Sequence, residues 1–489
     1  MLFTSIEFIV FVAAVMAAYW LPPLRRLGAS WQWGLLAVTS LVFYAWEDPH
    51  LLILLCCSIV FNFFAGRSIA KTLQSGLAPS RRTMGICIGA NLLLLAVFKY
   101  AGLLGDLLLP GASHADLRAQ LHAIPLPIGI SFYTFHAISF LVDLSRAGQR
   151  EPKLQAFAGE LAGPQWLKAF GKLALYINFF PQLVAGPIMK ARDFMPQIGS
   201  RTLKEVAWRP ACRYLISGYF LKMVVGDNLK EQTDMIATSN VLWMKKLDLL
   251  GLLYGYSLRI FADFAGYSLI ALGLAALFGY RLPVNFNYPY LASSVTEFWR
   301  RWHVSLSTWL RDYLYFPLGG NRKGTGRTYL NLFLVMFLGG LWHGAAWRFA
   351  LWGAAHGVIL AIERLLGVEP VESSVRNRSW KQFFGFLLTF NLVSWIWLLF
   401  AMPDLEALQR FLRALVEAPM GLRGRATFII LVYGAPVVLY HLWGYVRAAE
   451  PPASQSRMRR LVEALAFGAM LYLILVNSGI GGSFIYFQF

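Results

Sequence analysis

Cysteine is scarce in this chain. There are four, Cys56, Cys57, Cys87 and Cys212, among 489 residues. They lie in or beside apolar segments, with neither metal-ligand spacing nor the pattern of a disulfide framework. Charge is scarce as well, at 14% of residues, where a soluble domain carries about a quarter. Acidic charge is the scarcer sign: 25 Asp and Glu stand against 44 Lys and Arg, a formal net charge of +19. No nucleic-acid-binding module accompanies that excess, so no nucleic acid partner is expected. There is no internal repeat and no low-complexity tract, which gives little support to a transporter built from repeats. The first apolar run, residues 1–21, lacks a basic leader and a small-residue cleavage site. It reads as a retained span, not a removed signal.

What remains is apolar. Hydrophobic residues make up 57% and aromatics 15%, the composition of an all-α polytopic membrane protein in one integral-membrane domain, 1–489. Spans are expected near residues 3–20, 31–46, 51–66, 85–104, 249–278, 349–362, 383–401, 428–445 and 461–476. Pro22-Pro23 ends the first, and Arg25 and Arg26 follow. The turn after the second is acidic (Glu47, Asp48), while the loop after the third carries Arg67, Lys71, Arg81 and Arg82. The excess of basic residues on cytoplasmic loops then places the N-terminus on the periplasmic side. Residues 105–124 show no basic excess and suit an outer loop. Pro181, Gly186 and Pro187 argue against a straight helix over residues 173–188. Broken backbone at membrane depth is tolerated where protein or a water-filled cavity covers it, so a re-entrant element is expected there. Arg259 and Asp263, four apart, are expected to pair on one helix face. The apolar tail, residues 481–489, is expected to pack against the body.

Residues 285–344 carry the chemistry. A helix over 296–314 would place Trp299, His303, Leu306 and Leu310 on one face and Arg300, Arg301 and Arg311 on the other. Ser293 or Ser294 would cap it, Glu297 would pair with Arg301, and Pro317 with Gly319-Gly320 would stop it. Such a helix suits a membrane interface. After the basic loop 321–327 comes an uncharged run, 328–346, holding His343. An ionisable side chain inside a membrane segment is a functional hypothesis by default. Histidine can take a proton from a hydroxyl at neutral pH. Arg322, Lys323 and Arg327, with Arg300 and Arg311, are candidates to hold donor phosphates. Together these suggest acyl transfer from a phosphate-bearing donor to an alcohol. The plain alternatives are a loop that is basic only because it is cytoplasmic, and a structural His303. His136 and His356 read as core histidines.

FADFAGYSLIALG (261–273), NFNYPY, EFWRRWHVSLSTWLRDYLYFPLGGNRKG and LGGLWHGAAWRFALWGAAHG resemble the membrane-bound O-acyltransferase family, in its bacterial alginate O-acetyltransferase-like branch. PIGISFYTFHAISFLVD, FFPQLVAGPI and FIYFQF resemble it too. The resemblance implies a ring of transmembrane helices, with re-entrant and interfacial helices around a central funnel. It implies catalytic His343, with His303 as the second histidine, acetyl-CoA as donor and no metal. It also implies a bacterial inner-membrane location. The acetyl group would pass to a periplasmic or membrane-anchored partner acetyltransferase of the SGNH type, within a polysaccharide synthase and export complex, or directly to a polymer such as alginate or cellulose. Peptidoglycan O-acetylation and D-alanyl transfer to teichoic acid are the alternatives among enzymes. A transporter or flippase is the alternative outside them, and it would leave both histidines dispensable. Leu269 stands where many members carry an aspartate, so any role of that carboxylate is absent here.

Overall fold

The computed structural model describes residues 1–21, 28–46, 48–147, 151–184, 186–368, 380–447, 457–479 and 481–482. Pro22-Pro23, Arg25, Arg26, Glu47 and most of the apolar tail lie outside the described residues. Among those described there is no strand. Five helices are long and apolar enough to cross a membrane. The chain forms two compact units: residues 1–211 with 271–283, and residues 212–270 with 284–489.

The first unit holds helices α1 (Ile6–Trp20), α2 (Ala29–Ala45), α3 (Leu51–Gln74), α4 (Arg81–Leu108), α5 (Ala115–His122), α6 (Ile130–Ser145), α7 (Gln155–Ala162), α8 (Trp166–Asn178), α9 (Phe180–Leu183) and α10 (Ala191–Phe194). Both α3 and α4 run longer than the apolar stretches alone suggest, because their polar ends stay helical. The presumed outer loop is partly helical, as the last turn of α4 and as α5. Asn62 and Asn91 exchange amide hydrogen bonds of 3.0 Å between α3 and α4. Each satisfies a group that would otherwise sit unpaired in an apolar medium. The break foreseen in 173–188 is present. Helix α8 stops at Asn178, Phe179 leaves the helical region, and Pro181 opens the single turn of α9.

The second unit takes most of α11 (Trp208–Tyr219), then α12 (Asp227–Thr233) and the greater part of α13 (Lys246–Leu277). It continues through α14 (Val295–Arg301), α15 (Val304–Leu310), α16 (Thr325–His343), α17 (Trp347–Leu365), α18 (Trp380–Ala401), α19 (Leu405–Glu417), α20 (Arg425–Arg447) and α21 (Arg457–Val476). The expected Arg259–Asp263 pair does not form. Arg259 instead pairs with Asp234 at 2.5 Å. Asp263 pairs with Lys222 at 2.8 Å, and Lys222 also holds Asp227 at 2.6 Å. Lys222 sits in a π-helical stretch, residues 220–226, a segment whose sequence gave no sign that its lysine was a buried counter-ion. Two carboxylates against one ammonium share a buried charge that none could carry alone.

Helices α16 and α17 are in backbone contact. A Cβ built on Gly353 would lie 2.2 Å from the Met336 carbonyl oxygen, and one on Gly340 would lie 2.2 Å from that of Phe349. Small residues at both crossing points allow this approach. It matters because α16 carries His343 and α17 carries Trp352, one of the aromatic rings around it.

Candidate active site

The single helix expected over 296–314 is two helices with a bend between them. Helix α14 ends at Arg301, Trp302 is extended, and His303 adopts φ 43°, ψ 52° before α15 begins. Among the described residues, His303 and Tyr288 are the two non-glycine residues at positive φ. A left-handed residue with a side chain costs about 1–2 kcal/mol. The NFNYPY segment offsets this. The Asn285 carbonyl accepts from Val304 N–H (3.0 Å), its side-chain Oδ1 accepts from Ser305 N–H (3.2 Å), and Asn287 N–H donates to the Arg301 carbonyl (2.9 Å). At about 0.5–1.5 kcal/mol each, these bonds match the cost of the bend. Helical periodicity could not show it, because the partner segment lies outside the period.

The start of α14 is fixed as the capping residues suggested, with an addition. Ser294 Oγ accepts from Glu297 N–H at 3.1 Å. Glu297 accepts from Ser293 and holds Arg301 through two nitrogens at 2.9 and 2.6 Å. The addition is Glu363 of α17, which accepts from the Val295 and Thr296 N–H groups at 2.5 and 2.8 Å. A carboxylate on the open end of a helix satisfies orphan donors and meets the positive end of its dipole. It ties α14 to α17.

The bend turns His303 into apolar surroundings. The residue is 1% exposed, and neither ring nitrogen has a hydrogen-bond partner. Phe264 of α13 meets its ring edge-on at 4.7 Å, and the Trp342 ring lies 6.2 Å away. The same Trp342 ring is 5.0 Å from that of His343. One indole therefore neighbours both imidazoles, and their separation cannot exceed the sum of those distances. The structure thus brings together the two histidines that stand forty residues apart in sequence.

His343 ends α16. It is 5% exposed, ringed by Trp352 at 5.1 Å and Phe400 at 5.4 Å, both edge-on. It is packed among rings. His356, read as a core histidine, is fully buried. Its Nδ1 accepts from Trp299 Nε1–H at 3.3 Å, and its ring lies 4.9 Å from that of Trp352. Trp352 therefore neighbours both His343 and His356, a connection that an i, i+4 pair on α17 makes readable only once α17 is known to face α16.

The basic residues are placed differently. Arg322, Lys323 and Arg327 are exposed, at the N-terminal end of α16. His343 is at the other end, about 27 Å away at 1.5 Å per residue. Arg300 is exposed on α14. Arg311 is already engaged, with Asp312 at 2.8 Å and over the Phe316 ring. Gly319 takes φ 112°, and the Lys323 side chain lies against it, so the loop is folded back on itself.

The pattern of the MBOAT, membrane-bound O-acyltransferase family, matches residues 129–368, which contain both histidines. The chain is 37% identical over 423 residues to the probable alginate O-acetylase AlgI of Azotobacter vinelandii, covering 85% of this chain and 78% of that protein. The chain belongs to the membrane-bound O-acyltransferase family. It is also 36% identical to the probable alginate O-acetylase AlgI of Pseudomonas aeruginosa, over 85% of this chain and 75% of that one. To the peptidoglycan O-acetyltransferase of Helicobacter pylori it is 36% identical, over 78% and 73%. Membership makes it an all-α membrane protein and an O-acyltransferase.

Proposed function

We propose that the protein moves an acetyl group from cytoplasmic acetyl-CoA across the bacterial inner membrane for O-acetylation of an exported polysaccharide, alginate in the first instance. The acceptor is a periplasmic SGNH-type acetyltransferase or the polymer itself. The observation that carries this reading is the pair of buried histidines joined through Trp342. Similarity to two alginate O-acetylases over most of their length supports the polymer. Similarity to a peptidoglycan O-acetyltransferase favours peptidoglycan as the second reading.

In the proposed step the acceptor hydroxyl oxygen attacks the thioester carbonyl carbon while His343 accepts the hydroxyl proton. The carbon–sulfur bond then breaks, and the leaving thiolate takes that proton back from the imidazolium. The product is an acetyl ester plus a free thiol. His303, which also neighbours Trp342, serves to position the acyl group. Deleting the protein in its own host should remove the acetyl esters from the exported polymer, read by chemical analysis of alginate and of peptidoglycan separately. Unchanged acetyl content in both would end this reading.

Helix α16 sets a demand on the donor. If its basic end faces the cytoplasm, a donor held there must reach about 27 Å to His343. A long donor with phosphates at one end and a thioester at the other meets that demand. Arg322→Gln with Lys323→Gln should weaken acetyl-CoA binding by roughly tenfold or more, since charged contacts contribute about 1.5–3 kcal/mol each. The loss should shrink at high salt. Unchanged affinity at low salt would leave the loop with no role beyond orientation. A single cysteine at Arg322, in a chain freed of its four native ones, tests that orientation. Labelling by an impermeant thiol reagent in intact cells would reverse it.

A further inference from the structure

We propose that Asn285 is a further residue of the acyl-transfer site: it holds the bend that aims His303, and its side-chain N–H is the donor for the acyl carbonyl oxygen. This rests on the acyl-transfer reading above.

The first half follows from the hydrogen bonds. Asn285 makes two contacts to the backbone just after His303, one from its carbonyl and one from its side-chain oxygen. The orientation of the carboxamide is not arbitrary. Ser305 N–H can only donate, so the atom facing it must be the oxygen, and the NH₂ group must point elsewhere. That NH₂ is buried, and no acceptor among the described residues meets it; the residue is 1% exposed. The next residue is part of an aromatic cluster. Phe286 next to it lies 5.0 Å from both Phe264 and Trp302, and Phe264 in turn faces His303.

A buried donor without an acceptor is costly, and native proteins rarely leave one without a reason. Here two kinds of unpartnered polar group lie beside one strained turn: an amide donor, and an imidazole with both nitrogens unbonded. What would satisfy the donor is an oxygen carried in by a ligand. In acyl transfer that oxygen is the thioester carbonyl, which gains negative charge as the tetrahedral intermediate forms. A pre-placed N–H in a dry site binds that charge more tightly than it binds the ground state. Side-chain amides serve this purpose as well as backbone ones, and the dry ring cluster strengthens the bond by excluding competing water.

Asn285→Asp separates the two roles. The introduced carboxyl keeps an oxygen for Ser305 N–H, so the bend is retained, but once ionised it offers no proton. Turnover with acetyl-CoA should fall by roughly 10²–10³, the usual loss for one such donor, while KM for the donor stays near its original value. Burial raises a carboxyl pKa. As pH falls through it, the protonated form can donate again, so variant turnover should climb relative to the unsubstituted protein. A merely structural asparagine would show no such recovery. Asn285→Ala, with turnover counted per folded molecule, should lose activity at every pH. Full turnover per folded molecule in either variant would overturn the proposal, as would a variant-to-parent ratio that stays flat with pH. If the unsubstituted protein transfers no acetyl group at all, the acyl-transfer reading itself has failed instead.

Discussion

Replacing His343 with glutamine should cut acetyl transfer by about 10²–10⁴, the range general-base catalysis supplies. Glutamine is the informative choice because of where the ring sits. His343 is enclosed by Trp342, Trp352 and Phe400, so alanine would open a cavity among aromatic rings and confound chemistry with packing. Glutamine fills more of that space and keeps hydrogen-bonding capacity, but it cannot accept and return a proton near neutral pH. The assay is turnover of purified, monodisperse variant with acetyl-CoA and the acceptor, beside its melting temperature. His303→Gln should impair turnover less completely, because its proposed part is to position. Normal turnover in His343→Gln would mean that the ring is structural and that another group takes the proton. Equal, small losses in both variants would argue for two packing residues and against any base in this cluster.

The two histidines could be singled out from sequence because each broke its own context, one as an ionisable group in an uncharged run and one on an apolar helix face. Their proximity could not, since it shows only in the contacts that each makes with Trp342. The caps of α14 were legible because Ser294, Glu297 and Arg301 are local. The contribution of Glu363 was not, because it arrives from a helix sixty-odd residues later. The same holds for the charges. An i, i+4 spacing suggested Arg259 with Asp263, but both turned to closer partners supplied by other segments. The bend at His303 was hidden for a related reason: the residues that make it stable belong to NFNYPY, which helical periodicity treats as a separate loop. The amide that this segment leaves unpaired was equally invisible, because an unsatisfied donor shows only once its neighbours are in place.

The largest structural effect should come from Gly353. Its missing side chain lets α17 lie on α16 with no room to spare: a Cβ there would meet the Met336 carbonyl oxygen at 2.2 Å and the Gly340 Cα at 3.1 Å. These are backbone atoms of a helix, held by their own hydrogen bonds, so they cannot rotate away as a side chain would. Overpacking of a well-filled core typically costs about 1–3 kcal/mol, occasionally more, and a clash with helix backbone belongs at the upper end. Gly353→Leu should therefore fail to yield monodisperse protein in detergent. Gly353→Ala is the sharper test. One methyl forces the helices apart by a fraction of an ångström to about an ångström, which the fold can survive. That shift moves Trp352 and His356 away from His343, and a misplacement of about 1 Å can cost 10²-fold in rate. The expected result is a folded protein of lowered melting temperature with turnover reduced far more than its stability. Gly89→Ala in α4, where a Cβ meets nothing within 4 Å, should leave both unchanged and serves as the control. If Gly353→Leu purified and turned over like the parent, the crossing of α16 and α17 would be looser than drawn, and the ring of aromatic contacts around His343 would lose its anchor.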